Sequence, residues 1–217
     1  WRDKEQRHRW IVLTVIGGLD WGYANPGVLV WAVVLPDGHL HVEREYKFKQ
    51  TIAAEVAAQV LQLNRDYNCQ LTQVYADPSM WIQGGQSGES IAETFQRAGV
   101  PLQKAHHERV NGWQRLHHWL RLASVGPPRL TFDPDCSYLI RSLPGLLHDK
   151  HHIEDVDTDG DDHAADALRY LVMSRPIPSL VEPPPPLPPD SVGALFNDVL
   201  LQNSQSGILG QENVCKK

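Results

Sequence analysis

The chain has 217 residues and a formal net charge of −6, from 20 Lys or Arg against 26 Asp or Glu. This length suffices for one domain of roughly 150 to 180 residues with terminal extensions. The acidic balance argues against a uniformly basic nucleic-acid binder, and no apolar run reaches the ~18 residues that a membrane span needs. The 3 cysteines have no C-x-x-C spacing, so we expect a reducing compartment and neither a disulfide framework nor a structural zinc site.

Four strands and one helix are predicted in the first half of the chain. The first strand is a largely apolar, β-branched run that ends at Asp20, and the third alternates apolar and polar residues. Thr51 is placed to cap the helix. Because this helix crosses over before the fourth strand, we expect the fourth strand to run parallel to the first. The predicted strands cover residues 10–20, 27–35, 39–49 and 71–77, and the helix covers 51–66.

Shorter elements follow, and the composition changes after Arg175. The sequence PIPSLVEPPPPLPPD is typical of polyproline II and cannot belong to a packed core. We therefore predict a linker remnant at 1–9, one domain at 10–175 and a proline-rich, disordered tail at 176–217. The tail's apolar patch VGALFNDVLL is either a docking helix for a partner or a poorly ordered end. The elements predicted in the second half are helices at 88–98, 110–123, after Pro134 and at 161–173, with short strands near Leu102 and at 129–132.

Charge is distributed unevenly along the chain. Residues 97–130 contain six Lys or Arg against one acid, with tryptophans and histidines between them, whereas residues 149–166 contain eight acids against one lysine. A basic zone and an acid cluster in one small domain are expected where a phosphate backbone is held over bound metal ions. The basic side chains are either phosphate contacts or parts of a solvated surface. The candidates for contact with DNA are Lys104, Arg109, Arg115 and Arg121.

The acid cluster partly matches a calcium-binding loop. The first half of the loop pattern fits Asp155 to Gly160. The second half fails, because Asp166 stands where a bidentate Glu is needed and Asp162 stands where an apolar residue is usual. We therefore expect an acidic loop that leads into a helix rather than a calcium site.

The helix at 161–173 combines an apolar stripe with acids at its start. Asp162 and Asp166 are spaced i, i+4 and so can approach one site, with His163 beside them. The alternative is that these acids only complement the dipole of the helix, a contribution of ~0.3–1 kcal/mol each.

Two more aspartates, Asp20 and Asp77, end predicted strands, where a packed sheet gains nothing from a carboxylate. If these strands are parallel neighbours, both carboxylates emerge at one edge of the sheet, within reach of the acidic helix. Crowded carboxylates repel one another by several kcal/mol unless cations neutralise them. Oxygen ligands favour Mg²⁺ or Mn²⁺ over zinc. For Asp77 alone, a role as a turn residue before Pro78 is the alternative.

Three segments and the order of elements over residues 10–175 carry a family resemblance. The segments are GLDWGYANPGVLVWAVV at 18–34, VYADPS at 74–79 and DDHAADALRY at 161–170. They resemble the C-terminal nuclease domain of the large terminase subunit of tailed double-stranded DNA bacteriophages, which is ribonuclease-H-like. The resemblance implies an α/β fold in which a mixed sheet, with three antiparallel strands and then parallel strands, is flanked by helices. It also implies that Asp20, Asp77 and Asp162 are metal-binding acids, with Asp161, His163 and Asp166 as further ligands or their supporters.

The resemblance further implies an endonuclease that cuts double-stranded DNA with little sequence specificity during viral genome packaging, using two Mg²⁺ or Mn²⁺ ions bridged by Asp20. The partners would be an N-terminal ATPase domain of the same full-length protein, the portal and the small terminase subunit, at the procapsid portal in the host cytoplasm and away from membranes. The ATPase motif G-x-x-x-x-G-K-[ST] is missing, because GGQSGES at 84–90 lacks the lysine. Since the chain begins at Trp1, we expect it to be the separated nuclease part.

Two alternatives remain open from the sequence. A Holliday-junction resolvase or a transposase-type nuclease would use the same fold. A non-catalytic metal-binding or assembly module would use the acids structurally and dock through its tail.

Overall fold

The computed structural model of the chain describes residues 14–83, 88–122, 126–157 and 160–176. Within these residues, six strands form one sheet in the order β5-β4-β1-β2-β3-β6. The strands β1 to β3 are antiparallel neighbours, β4 is parallel to β1, β5 is parallel to β4, and β6 is parallel to β3. The predicted mixed sheet and the parallel pairing of the first and fourth strands are therefore confirmed. The strands are β1 (Thr14–Asp20), β2 (Gly27–Val34), β3 (Leu40–Phe48), β4 (Leu71–Ala76), β5 (Leu102–Lys104) and β6 (Leu130–Phe132).

Helices cover both faces of this sheet. The strand β2 is buried along nearly its whole length: Val28 and Val30 belong to the core on one face, and Leu29 and Trp31 to the core on the other. This two-sided burial explains why the strand is continuously apolar rather than alternating. The helices α3, α4 and α5 line the first core, and α1 and α2 line the second. The helices are α1 (Ala53–Asp66), α2 (Ile91–Ala98), α3 (Arg109–Leu120), α4 (Ser137–Ser142) and α5 (His163–Met173).

Three predicted helix starts differ from the structure by two residues or more. One is the start of α5, which begins at His163 rather than at residue 161, with Asp162 as its N-cap. Thr51 does not cap α1: its hydroxyl donates a hydrogen bond to the carbonyl of Lys49 at 3.0 Å, and Ile52 is the N-cap. The second helix begins at Ile91 rather than at residue 88, because Ser90 and Glu93 form a capping box there. The sequence carries the S-x-x-E pattern that marks this start, at Ser90 and Glu93.

Several predictions concern residues that the structure does not describe. They are the start of the first strand at 10–13, the linker at 1–9, the segment at 84–87, and almost all of the proline-rich tail with its apolar patch. Residues 158 and 159 of the acidic loop also lie outside the described ranges. In the part of the chain that is described, no helix is both long and apolar enough to cross a membrane.

A glycine in β1 allows α5 to lie unusually close to the sheet. A β-carbon on Gly18 would stand 2.0 Å from the main-chain oxygen of Ala167 and 2.8 Å from Cβ of Leu171. Since real contacts are never this short, only glycine permits this approach. The approach fixes the position of α5 two residues before β1 ends at Asp20.

Candidate active site

Asp20 and Asp77 lie at the ends of two adjacent parallel strands. Leu19 pairs with Ala76, and the amide of Asp77 donates to the carbonyl of Leu19 at 2.9 Å, so both aspartates stand at the same edge of the sheet. Asp20 is buried, at 8% exposure, and Asp77 is half-buried. The carboxylate of Asp77 also accepts hydrogen bonds from the amide and the hydroxyl of Ser79, at 2.9 and 2.5 Å. Asp77 therefore caps the following turn, as the turn interpretation expects, while standing beside Asp20.

The first turn of α5 brings further polar groups to this edge. His163 Nδ1 lies 3.2 Å from Asp20 Oδ2 and 4.0 Å from Asp162 Oδ1. Asp162 is buried, and His163 is half-buried. Residues far apart in the sequence are thus gathered around one point by β1, β4 and α5.

The environment of Asp20 disfavours its negative charge. Burial, and then the charges of Asp166 and Asp77, raise the pKa of Asp20 from 3.8 to about 7, although the hydrogen bond from His163 opposes this rise. Burial and the nearby Asp166 also raise the pKa of Asp162. The hydrogen bond to Asp20 raises the pKa of His163 against the effect of its burial. Burial and neighbouring carboxylates therefore both disfavour the charged forms of Asp20 and Asp162.

Asp161 and Asp166 are each held by a neighbouring side chain. The hydroxyl of Tyr138 donates a hydrogen bond to the exposed Asp161. Asp166 is bound on one oxygen by Arg109 at 3.2 Å and on the other by Arg169 at 2.8 Å. The helical spacing of Asp166 and Arg169 predicts that these two side chains lie on one side of the helix, which agrees with their hydrogen bond, whereas no local pattern in the sequence indicates the contact of Tyr138 with Asp161.

The donor set suits a hard divalent cation, since it consists of carboxylate oxygens with one imidazole. Asp20, Asp77 and the start of α5 meet at one edge of the sheet, and this gathering of acids fits a cation at this place. Across the described residues, however, no three acidic, imidazole or thiol side chains converge in the arrangement of a completed metal site. Instead, Asp20 faces His163, and Arg109 stands between Asp162 and Asp166. The residues thus have the right chemistry for a metal, and their side chains are paired with one another.

The four basic candidates for DNA contact occupy different environments. Lys104 is exposed at the end of β5, at the same sheet edge as Asp77, with its Nζ 5.5 Å from the centre of the Trp81 ring. Arg121 is exposed just after α3. Arg115 donates instead to the carbonyls of Val172 and Arg175. Arg109 points into the acid cluster.

The acidic loop before α5 is tied to α3. The Asp155 carboxylate accepts hydrogen bonds from Arg109 Nε at 2.9 and 3.1 Å and from Trp113 Nε1 at 2.8 Å. The first residue of the calcium-like pattern is therefore occupied by protein donors, which agrees with the expected acidic loop rather than a calcium site. Arg109 and Trp113 are one helical turn apart, a spacing that the sequence analysis did not connect with Asp155.

The fold of the chain is similar to the folds of several solved structures. A large terminase from a thermophilic bacteriophage is 18% identical, with a TM-score of 0.59 over 74% of this chain and 39% of that protein. The P22 large terminase nuclease domain is 16% identical, with a TM-score of 0.59 over 75% of this chain and 81% of that domain. The large terminase nuclease from thermophilic phage G20c with bound cobalt is 12% identical, with a TM-score of 0.54 over 74% of this chain and 81% of that one.

The chain therefore has the ribonuclease-H-like α/β fold of large terminase nuclease domains, as the sequence predicted. It spans about 39% of the length of the first of these proteins, the thermophilic phage large terminase. No protein-family model and no curated protein matches the chain.

Proposed function

We propose that the chain is a divalent-metal-dependent endonuclease that cuts double-stranded DNA with little sequence specificity during viral genome packaging. The observation that carries this proposal is the meeting of Asp20, Asp77 and the start of α5 at one sheet edge, in the fold of large terminase nucleases. The G20c nuclease has been solved with bound cobalt and with bound zinc, which supports a metal-dependent reaction for this chain as well.

Asp20, Asp77 and Asp162 are the residues that would hold the divalent cations. Asp161, His163 and Asp166 are the remaining candidates. Two divalent cations, when bound, supply a water nucleophile and stabilise the leaving 3′ oxygen of the scissile phosphate. Lys104 would hold the DNA backbone at the same sheet edge. Because such phosphate contacts carry no sequence information, cutting would depend little on sequence.

The partners follow from the same proposal. The chain spans 81% of the P22 nuclease domain but 39% of the thermophilic phage large terminase, which is consistent with a nuclease part of a larger protein. We propose an N-terminal ATPase domain in the full-length protein, and contacts with the portal and the small terminase subunit. The place of action would be the procapsid portal in the host cytoplasm.

Plasmid cleavage in Mn²⁺ or Mg²⁺ tests the proposal. The chain should convert supercoiled plasmid to open-circular and linear forms, and Asp20→Asn and Asp77→Asn should each lower the rate by at least about a hundredfold, since each removes a charged ligand. Asp66→Asn is the matched control: Asp66 is exposed at the end of α1 and accepts one hydrogen bond, from Gln62. This variant should cut like the parent chain.

The same assay separates the alternatives. Strong preference for four-way junctions over linear duplex would indicate a resolvase. If no metal supports cleavage, or if both site variants still cut, the nuclease assignment of this site is contradicted and a non-catalytic module becomes the better interpretation.

A further inference from the structure

Asp166 differs from the other acids of the site because guanidinium groups bind both of its oxygens. Arg109 Nη1 lies 3.2 Å from Oδ2, and Arg169 Nε lies 2.8 Å from Oδ1. The residue is 7% exposed. A metal ion on either oxygen would be brought beside a fixed positive charge in a buried place, where like charges repel most strongly.

Arg169 has no room to withdraw from Asp166. It is 1% exposed, and its guanidinium stands 5.3 Å from the centre of the Trp113 ring and 4.4 Å from that of Tyr170. A β-carbon on residue 112 would stand 2.6 Å from Cδ of Arg169, so Gly112 of α3 lies directly on the side chain. Arg169 is therefore fixed by the packing of α3 against α5.

Arg109 is held from the other side by the acidic loop. The Asp155 carboxylate accepts two hydrogen bonds from Arg109 Nε, and the carbonyl of Val156 accepts another from Nη2 at 3.3 Å. Burial disfavours the charge of Arg109, but the carboxylates of Asp166, Asp155 and Asp162 outweigh it and raise the pKa of the guanidinium. Arg109 therefore stays positively charged and lies between the acidic loop and α5.

Asp162 is in a different position with respect to Arg109. The closest approach between them is 3.6 Å, from Nη2 to Oδ2, which is an ion pair rather than a hydrogen bond. Its other oxygen, Oδ1, lies 4.0 Å from His163 Nδ1, the atom that lies 3.2 Å from Asp20 Oδ2. Oδ1 of Asp162 therefore lies beside an imidazole, whereas a guanidinium binds each oxygen of Asp166.

We infer that Asp166 is a positioning residue and not a metal ligand. The charged series Arg109–Asp166–Arg169 connects α3 to α5, and the bond from Arg109 to Asp155 extends it to the acidic loop. Together these contacts hold the first turn of α5 so that His163 faces Asp20 and Asp162 lies beside His163. The inference rests on the proposed metal site. It leaves Asp20, Asp77 and Asp162 as the expected ligands and Asp161 and His163 as the remaining candidates.

Terbium luminescence tests this role without relying on activity. Tb³⁺ occupies oxygen-rich cation sites, and its lifetimes in H₂O and D₂O give the number of waters on the ion. Loss of a protein ligand adds about one water, whereas loss of a supporting residue lowers affinity about tenfold and leaves the number of waters unchanged. We expect Asp162→Asn to add a bound water and Asp166→Asn to weaken binding without adding one. An added water in Asp166→Asn would overturn the inference.

A measurement on the unsubstituted chain covers the case in which Asp166→Asn fails to fold. In a titration of the ¹³C-labelled chain with Mg²⁺, the carboxylate signals of Asp20 and Asp162 should move, and that of Asp166 should stay nearly still. A shift of the Asp166 signal equal to that of Asp162 would overturn the inference. Failure of the parent chain to bind either ion would instead remove the proposed site itself, so the two failures are distinguishable.

Discussion

Gly18 of β1 lies against the main-chain oxygen of Ala167 in α5, so closely that a β-carbon on Gly18 would stand 2.0 Å from that oxygen. The atom it would meet belongs to the helix backbone, so a side-chain rotation cannot relieve the clash. Since Gly18 is two residues from Asp20 and Ala167 follows Asp166, this contact sets the distance between the strand acid and the helix acids.

We predict that Gly18→Ala lowers the free energy of unfolding by at least about 3 kcal/mol, because α5 must move away from the sheet. Gly17→Ala is the matched control on the same strand. The three atoms nearest to its β-carbon would be side-chain atoms of Val74, Leu29 and Leu71, at 3.1 to 3.4 Å, so we expect a loss of about 1 kcal/mol or less. Urea denaturation measures both. Equal losses in the two variants would contradict the account of how α5 is placed.

Stability of the metal-free chain should depend on Asp20. The pKa of Asp20 is raised from 3.8 to about 7, so between these values the folded chain holds a proton that the unfolded chain releases. The free energy of unfolding should therefore fall as pH rises through this window, by up to about 4 kcal/mol at about 1.36 kcal/mol for each pKa unit. The His163 pair adds a change of the same sign, because the raised pKa of His163 gives stability that is lost as pH rises through it.

The variant Asp20→Asn removes the titration of Asp20 together with the part of the His163 shift that depends on the Asp20 carboxylate, and both changes have the same sign. In EDTA, we expect the difference in unfolding free energy between variant and parent to grow in favour of the variant from about pH 5 to about pH 8. At the higher pH, added Mg²⁺ should stabilise the parent and not the variant. Parallel pH profiles for the two proteins would show that Asp20 ionises without cost in the folded chain.

The strand ends could be predicted because β1 and β4 have simple physical signatures. An apolar run that ends at Asp20, followed by a crossover and a second run that ends at Asp77, is sufficient to place both carboxylates at one edge of a parallel pair. The pairing of Arg109 with Asp155 and Asp166 could not be predicted in the same way. It depends on how α3 packs against α5. This packing is possible because Gly112 has no side chain, which leaves space for the buried side chain of Arg169, and no local sequence pattern indicates it.

The close approach of α5 to Gly18 could be predicted only in part from the sequence. Two adjacent glycines inside a strand weaken it unless another backbone lies close by, so the sequence carried a signal for this contact. The helix that makes the contact could not be identified without the packing, because α5 is 145 residues away from Gly18 in the chain, as counted from Gly18 to His163.

The basic residues should separate into two groups when DNA binding is measured. Lys104 and Arg121 are exposed, so Lys104→Ala and Arg121→Ala should each weaken duplex binding and reduce the slope of log affinity against log salt by about 1. Arg115 donates to backbone carbonyls after α5, so Arg115→Ala should lower the melting temperature and leave the salt slope unchanged. Fluorescence anisotropy over a series of salt concentrations measures the slopes. A fall in slope for Arg115→Ala alone would contradict this division.

The most direct test of the central claim is a crystal structure of the chain soaked in Mn²⁺, with anomalous scattering used to locate the ions. We predict manganese within about 2.2 Å of carboxylate oxygens of Asp20, with Asp77 and Asp162 completing the coordination and Asp166 still bound by its two arginines. An ordered ion elsewhere, or no ion while Asp20 remains paired with His163, would contradict the claim that the ends of β1 and β4 and the start of α5 form a metal site.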